Sequence, residues 1–392
     1  MDEMRALGID PGTRSFDLVV IEEDRVVWED SIDTATVAEK PETIVKSIEA
    51  AGPVDIIAGP SGYGVPVTFN RDITDPRRFA LEVLLLTREE DLKRGIKLGK
   101  LGIRVYEAIT KVAVELWRRG LPLCYIPSCI LLPTIPGFRK VNKLDMGTAD
   151  KMAVAVLGVF DQSTKYDLEY DQVSFMLVEL GFGYNAVIAV DKGVIVDSLG
   201  GTLVQTGFLT MGSIDAEIAV MGHEWIRSDV FHGGVADICG MLSMDDVLRG
   251  YEQGEKLCVL AVESMLDGIE KSVKQLTSSV DSFREILISG RHSRHPKFRK
   301  LVQERLNKIA PVRTIGTLPG AKISKEAAQG YAIVGEGING GVFSNLVKHM
   351  HITEARGTVL NWVFHPRLEN AKKKLLETYV ETVKNPKLLN IQ

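Results

Sequence analysis

One supersecondary pattern occurs twice in this chain, and that repeat limits the fold more than any other feature of the sequence. Arg5–Asp10 is an apolar run that ends in the turn residues Pro11-Gly12-Thr13. Ser15–Glu22 reads as a second strand, Glu23-Asp24 as a hairpin turn, and Arg25–Asp30 as the returning strand. The order recurs far along the chain: Val173–Leu180, the turn Gly181-Phe182-Gly183, Ala186–Val190, the turn Asp191-Lys192-Gly193, then Val194–Asp197. The repeat is one of strand and turn order, without sequence identity. Helical periodicity fills the intervals, at 41–51, 107–119, 149–157, 255–277, 296–309 and 325–336, with short apolar strands at 55–58, 123–126 and 285–288. Strands alternating with helices predict an α/β protein with a duplicated core.

The run 141–147 is the expected boundary. It divides the chain into residues 1–145, 146–345 and a charged helical tail, 346–392, packing on the rest. The net charge of −5 offers no basic excess to neutralise a phosphate backbone, which argues against nucleic acid as a partner. Four cysteines without a CxxC pair fit reduced structural thiols better than a disulfide framework or a zinc ribbon. No signal peptide is apparent. The apolar runs are interrupted by Glu179 or by Pro127, Pro133 and Pro136, so no membrane span or membrane partner is expected. A cytoplasmic location follows as an expectation.

The chemistry-bearing residues cluster at glycine turns. Exposed backbone N–H groups in such turns converge on phosphate oxygens, and Thr13 and Ser15 add hydroxyls after Gly12. Asp10 stands at a strand end, where it can hold Mg²⁺ through water beside phosphate. Gly181 and Gly183 form a second such turn, and Ser289-Gly290-Arg291 a third, where small atoms can lie against a base or ribose. Each turn taken alone is also ordinary hairpin or helix-entry chemistry. Asp150 and Lys151 open a helix; they suit acceptor orientation and phosphate neutralisation, or equally a helix-dipole contact and a solvated lysine. Arg139, Lys140 and Lys143 form a basic cluster suited to a carboxylate clamp, or to a solvated loop. Ser61–Gly64, Gly200-Gly201-Thr202 and Gln205 are candidates for an acceptor pocket. His349 and His351 lack further ligands for a metal site, and Ser61 lacks the glycine of a hydrolase elbow.

Taken in order, these motifs resemble the acetate and sugar kinase, Hsp70 and actin superfamily, and within it butyrate kinases and an uncharacterised archaeal family of butyrate-kinase-related proteins. Gly8-Ile9-Asp10-Pro11-Gly12-Thr13-Arg14-Ser15 resembles the first phosphate motif, with Asp10 in the sugar-kinase form. Glu179 to Ala186 and the following hairpin resemble the second phosphate motif, with Glu179 for a usual histidine and Phe182 for a usual glycine. Ala149–Ala155 resembles the first connecting helix, Ile286–Arg291 the adenosine motif and Glu326–Ala332 the second connecting helix.

The resemblance implies two ribonuclease-H-like domains with a nucleotide cleft between them, ATP and Mg²⁺ as cofactors, and a homodimer. It implies metal contacts from Asp10 and Glu179, and nucleotide contacts from Gly12, Thr13, Ser15, Gly181, Gly183, Asn185, Ser289, Gly290, Arg291 and Gly330. Asp150, Lys151 and Arg139 are the expected catalytic residues. The function implied is phosphoryl transfer from Mg-ATP to a small acceptor, with a short carboxylic acid as the butyrate-kinase precedent. The alternatives are a slow ATPase or nucleotide-dependent switch of the same fold, and a degenerate fold without nucleotide.

Overall fold

The computed structural model describes residues 4–97 and 101–390. The chain forms two compact α/β units, one from 1–144, 148–166 and 316–392, the other from 145–147 and 167–315. The first unit is thus assembled from three stretches. The helices Ala149–Tyr166 and Glu326–Ile338 follow residue 145 in sequence, yet they pack with the first sheet.

In the first unit the strands are β1 (Arg5–Pro11), β2 (Ser15–Glu22), β3 (Arg25–Asp33), β4 (Ile56–Ala58), β5 (Thr68–Phe69) and β6 (Leu123–Tyr125), in the order β3-β2-β1-β4-β6-β5. β1 runs antiparallel to β2 and parallel to β4, and β4 runs parallel to β6. The interior residues of β1 and β2 are all buried, as covered strands require, while β3 alternates and faces solvent at the edge. In the second unit β7 (Phe175–Leu180), β8 (Asn185–Asp191), β9 (Val194–Leu199), β10 (Glu285–Ser289) and β11 (Val312–Thr314) lie in the order β11-β10-β7-β8-β9. Numbered within each unit, both sheets share one sequence of neighbours: third, second, first, fourth, then one more parallel strand. The β2–β3 and β8–β9 hairpins each carry a register shift, at Val20/Ile21 and Ala189/Val190, so the repeat extends to the bulge.

Packing explains the small residues of the helix Glu326–Ile338. A Cβ on Gly8 would collide with the Ala328 carbonyl oxygen, and one on Gly330 with the Ala153 carbonyl oxygen. The helix therefore lies directly on β1 on one side and on the helix Ala149–Tyr166 on the other. In the second unit Met265, Ile269 and Val273 of the helix Lys256–Thr277 bury against Met176, Val178, Ile286 and Ile288 of the sheet. The helix Pro296–Leu306 starts with proline at its first turn and buries Phe298, Val302 and Leu306 at four-residue spacing.

Several elements exceed the expectation from periodicity. The helix expected at 107–119 begins at Leu101, and Ala149–Tyr166 runs well beyond 157. The π-helical turn Phe79–Leu84, the edge strand β5 and the helix Glu89–Lys97 were not expected at all. Cys124, Cys129, Cys239 and Cys258 are free thiols, three of them buried. Among the described residues no helix is long and apolar enough to cross a membrane.

Candidate functional site

The first glycine turn is closed by its own backbone. The Gly12 N–H donates to the Ser15 carbonyl at 3.0 Å, and the Gly12 carbonyl accepts from the Thr34 hydroxyl at 2.7 Å. Asp10, at the end of β1, is 4% exposed. Lys325, just before the helix Glu326–Ile338, reaches into the turn. Its amine bonds Asp17, lies 3.4 Å from Asp10 Oδ2 and donates to the Ser15 carbonyl at 3.3 Å. Asp17 also accepts from Ser31 Oγ at 2.5 Å. Burial pushes the Asp10 carboxyl up to about 6; Lys325 and Lys151 oppose the rise, while Asp150 and Asp17 add to it.

Asp150 belongs to the same electrostatic cluster. Its Oδ2 accepts from the Lys151 amine at 2.6 Å, and its Oδ1 is bonded by the Thr148 hydroxyl. Burial alone would raise its pKa, but Lys151 and the Thr148 hydroxyl outweigh that and hold it below the usual carboxylate range. Tyr331 is fully buried close enough to Asp10 and Asp150 that, after burial itself, their charges raise its pKa. Asp10, Gly12, Thr13, Ser15, Asp150 and Lys151 thus lie together in the first unit, and sequence reading missed Lys325, Asp17 and Tyr331 beside them. The signal for Asp17 was a charge between apolar Phe16 and Leu18 in a buried strand; for Lys325 it was a cation opening a helix rich in alanine and glycine.

Is this a site for Mg²⁺? Asp10 is a buried carboxylate whose ionised form is penalised and which has two other carboxylates for neighbours, so a cation beyond Lys325 suits it. Among the described residues no group of three or more His, Cys, Asp or Glu is arranged to hold a metal directly. The chemistry of Asp10 suits an ion that takes its other ligands from elsewhere than protein side chains, and Asp10 is the residue that would face it.

The second unit carries the other turns. The Gly181 N–H donates to the Tyr184 carbonyl at 3.0 Å, and the Gly183 carbonyl accepts from Leu209 and Thr210. Asn185 is 1% exposed; its amide donates to the Thr206 carbonyl at 3.3 Å, and its Oδ1 has no hydrogen-bond partner. Glu179 on β7 is paired in register with Ser289 on β10. Gly290 has φ +88, and a Cβ there would meet Glu179 Oε1 and the Leu180 carbonyl at 2.6 Å, so only glycine suits this position. Ser289 Oγ is buried without a partner. Arg291 is exposed at the start of the following turn. Phe182 packs on Phe208 and His292, with ring centroids 5.3 and 5.8 Å away, and burial pushes His292 down to about 4.

The remaining expected residues make contacts of their own. Gly330 is buried at the contact between two helices, where a Cβ would strike the Ala153 backbone, so it is a packing glycine. Arg139 lies 5.7 Å from the Phe138 ring on the short helix Gly137–Lys140, and Lys140 is buried, donating to the Leu132 carbonyl at 2.7 Å. Ser61 Oγ accepts from the Ile126 N–H at 2.9 Å and donates to the Gly59 carbonyl at 2.8 Å, which ties the end of β4 to the end of β6. The Gly200–Thr202 loop is bound to Asp145 through its backbone.

Two α/β units, each on a sheet with this order of neighbours and each with a glycine turn after its first strand, share the fold of solved acetate and propionate kinases. Solved structures sharing the fold include a propionate kinase from Francisella tularensis subsp. tularensis SCHU S4, with TM-score 0.55, 14% identity, and coverage of 85% of this chain and 98% of that one. Acetate kinase from Entamoeba histolytica gives 0.51, 13%, and 78% and 87%. That from Porphyromonas gingivalis gives 0.51, 13%, and 84% and 97%. The chain itself belongs to the DUF1464 family, described as a protein of unknown function, whose model matches residues 8–365. No curated protein matches it in sequence.

Proposed function

We propose that this protein is an ATP-dependent small-molecule kinase that transfers the terminal phosphoryl group of Mg-ATP to an acceptor of the short-carboxylate class. The observation that carries the reading is the cluster of Asp10, Lys325, Asp150 and Lys151 at the glycine turn after β1, in a chain with the fold of acetate and propionate kinases. The turns at 10–15, 181–185 and 289–291 would supply backbone donors to phosphates and ribose, and the protein's part would be positioning and charge stabilisation. Mg²⁺, anchored by Asp10, would neutralise phosphate charge; Glu179 is the second proposed anchor. Lys151 and Lys325 place two ammonium groups in the same cluster, suited to negative charge arriving with a nucleotide.

The low pKa of Asp150 bears on the acceptor. A general base works best when its pKa lies near the working pH, and Asp150 is held in the opposite direction. It is suited to orienting an acceptor, less so to deprotonating a hydroxyl. A carboxylate needs no base, because it is already ionised at neutral pH. Arg139 is the proposed clamp for it.

A slow nucleotide-dependent switch is the second reading. The ion pair of Lys325 with Asp10 favours it, because a carboxylate already facing an ammonium competes less well for metal. The two readings separate on ATP consumption. With acetate, propionate or butyrate present, a kinase releases ADP and forms an acyl phosphate that hydroxylamine traps; without acid it leaves ATP intact. A switch turns ATP over slowly and ignores the acids.

A further inference from the structure

The first unit holds a pocket of about 530 Å³ far from its glycine turn. Asp55 and Ile56 line it at the start of β4, and Leu123 at the start of β6. Ile56 is in register with Ala6, and Asp10 lies four residues further along β1, roughly 13 Å at strand spacing. The volume falls in the range of small-molecule sites.

Two features of its lining are unusual together. First, Trp117 is 36% exposed and its indole N–H is already spent on the Ile73 carbonyl at 2.9 Å, so the ring is an apolar surface. Second, two cations line the pocket and neither is paired with a carboxylate among the described residues. The Arg71 guanidinium lies 4.6 Å from the Phe69 ring centroid, and the Lys384 amine donates to the Arg71 carbonyl at 3.0 Å. The one acid in the lining, Asp55, already accepts from the Arg5 N–H at 2.8 Å. Asn70 is 5% exposed and its amide nitrogen donates to the Leu116 and Leu121 carbonyls at 3.3 and 3.4 Å, so it forms part of the wall.

We propose that this pocket is a second ligand site, taking a small aromatic anion. The ring lies against Trp117, and the anionic group meets Arg71 and Lys384. The site does not depend on the kinase reading. It shares no residue with the Asp10 cluster.

The probe is p-hydroxybenzoate, titrated into the full chain by calorimetry with Trp117 indole fluorescence or NMR as the local readout. The control p-hydroxybenzyl alcohol lacks the charge. Saturable binding of p-hydroxybenzoate is expected, with the alcohol about tenfold weaker, and with Arg71→Ala and Lys384→Ala each weakening it about tenfold. Both cations are exposed, so neither variant is expected to unfold. No binding at ~10 mM probe overturns the proposal, that being weaker than any site of this size needs. So does binding that survives both cation variants. Binding lost in Asp150→Asn but kept in Arg71→Ala would place the probe at the other cluster, and this also overturns it.

Discussion

Asp10 is a carboxylate held where carboxylates are least stable, and its consequence is a stability that depends on pH in an unusual direction. Its pKa of about 6 in the fold exceeds the ordinary 3.8. Between those values the folded chain binds more protons than the unfolded chain, so this group's contribution is fully present below about pH 4 and is lost as pH rises through about 6. Two pKa units amount to at most about 3 kcal/mol. Asp10→Asn is expected to remove that slope, so that the gap in urea midpoint between variant and wild type widens in the variant's favour from pH 4.5 to 7. An unchanged gap would deny Asp10 its burial penalty. Lys325 acts on the same group from outside the strand. Lys325→Met leaves Asp10 and Asp17 buried without their cation and is expected to cost about 3–5 kcal/mol at pH 7. Adding Asp10→Asn should recover part of that loss, because the two sites share one interaction. Additive losses would show that the pair does not act together.

The helix Glu326–Ile338 sets the position of Lys325, and it does so through glycine and alanine. Gly8 lets it approach β1 and Gly330 lets it approach the helix Ala149–Tyr166, the element that carries Asp150 and Lys151. Gly330→Ala would force a methyl into the Ala153 backbone. The expected loss is about 1–3 kcal/mol or more in chemical denaturation, with weaker nucleotide binding because both charged helix ends shift together. A neutral effect would mean that the helices separate freely. At this scale much was legible in the sequence. Both repeats, both hairpins and the main helices follow from apolar periodicity and turn residues. The π-helical turn Phe79–Leu84 and the two-residue β5 were not legible, because neither has a period long enough to read. Lys325 and Asp17 were visible only as misplaced charges. What made them a cluster was the packing of a helix from residues 326–338 on the first strand of the chain, and no local pattern reports a contact of that separation. The small residues of that helix were legible as composition and became legible as contact only in the structure.

For the molecule as a whole, the duplicated sheet and its two glycine turns account for why five loosely matching motifs point to one fold. The turns are separately ordinary, and their value lies in their order. Gly330, a motif position expected at the nucleotide, lies at a helix contact, which motif order alone does not report. The central claim is that these turns and Asp10 bind a nucleotide with its metal. The most direct test is calorimetric titration of the full chain with a non-hydrolysable ATP analogue, with and without Mg²⁺, on wild type and Asp10→Asn. The account predicts saturable binding that Mg²⁺ strengthens, and loss of that Mg²⁺ dependence in the variant. Absence of binding at millimolar analogue, or Mg²⁺ dependence undiminished in Asp10→Asn, would contradict it.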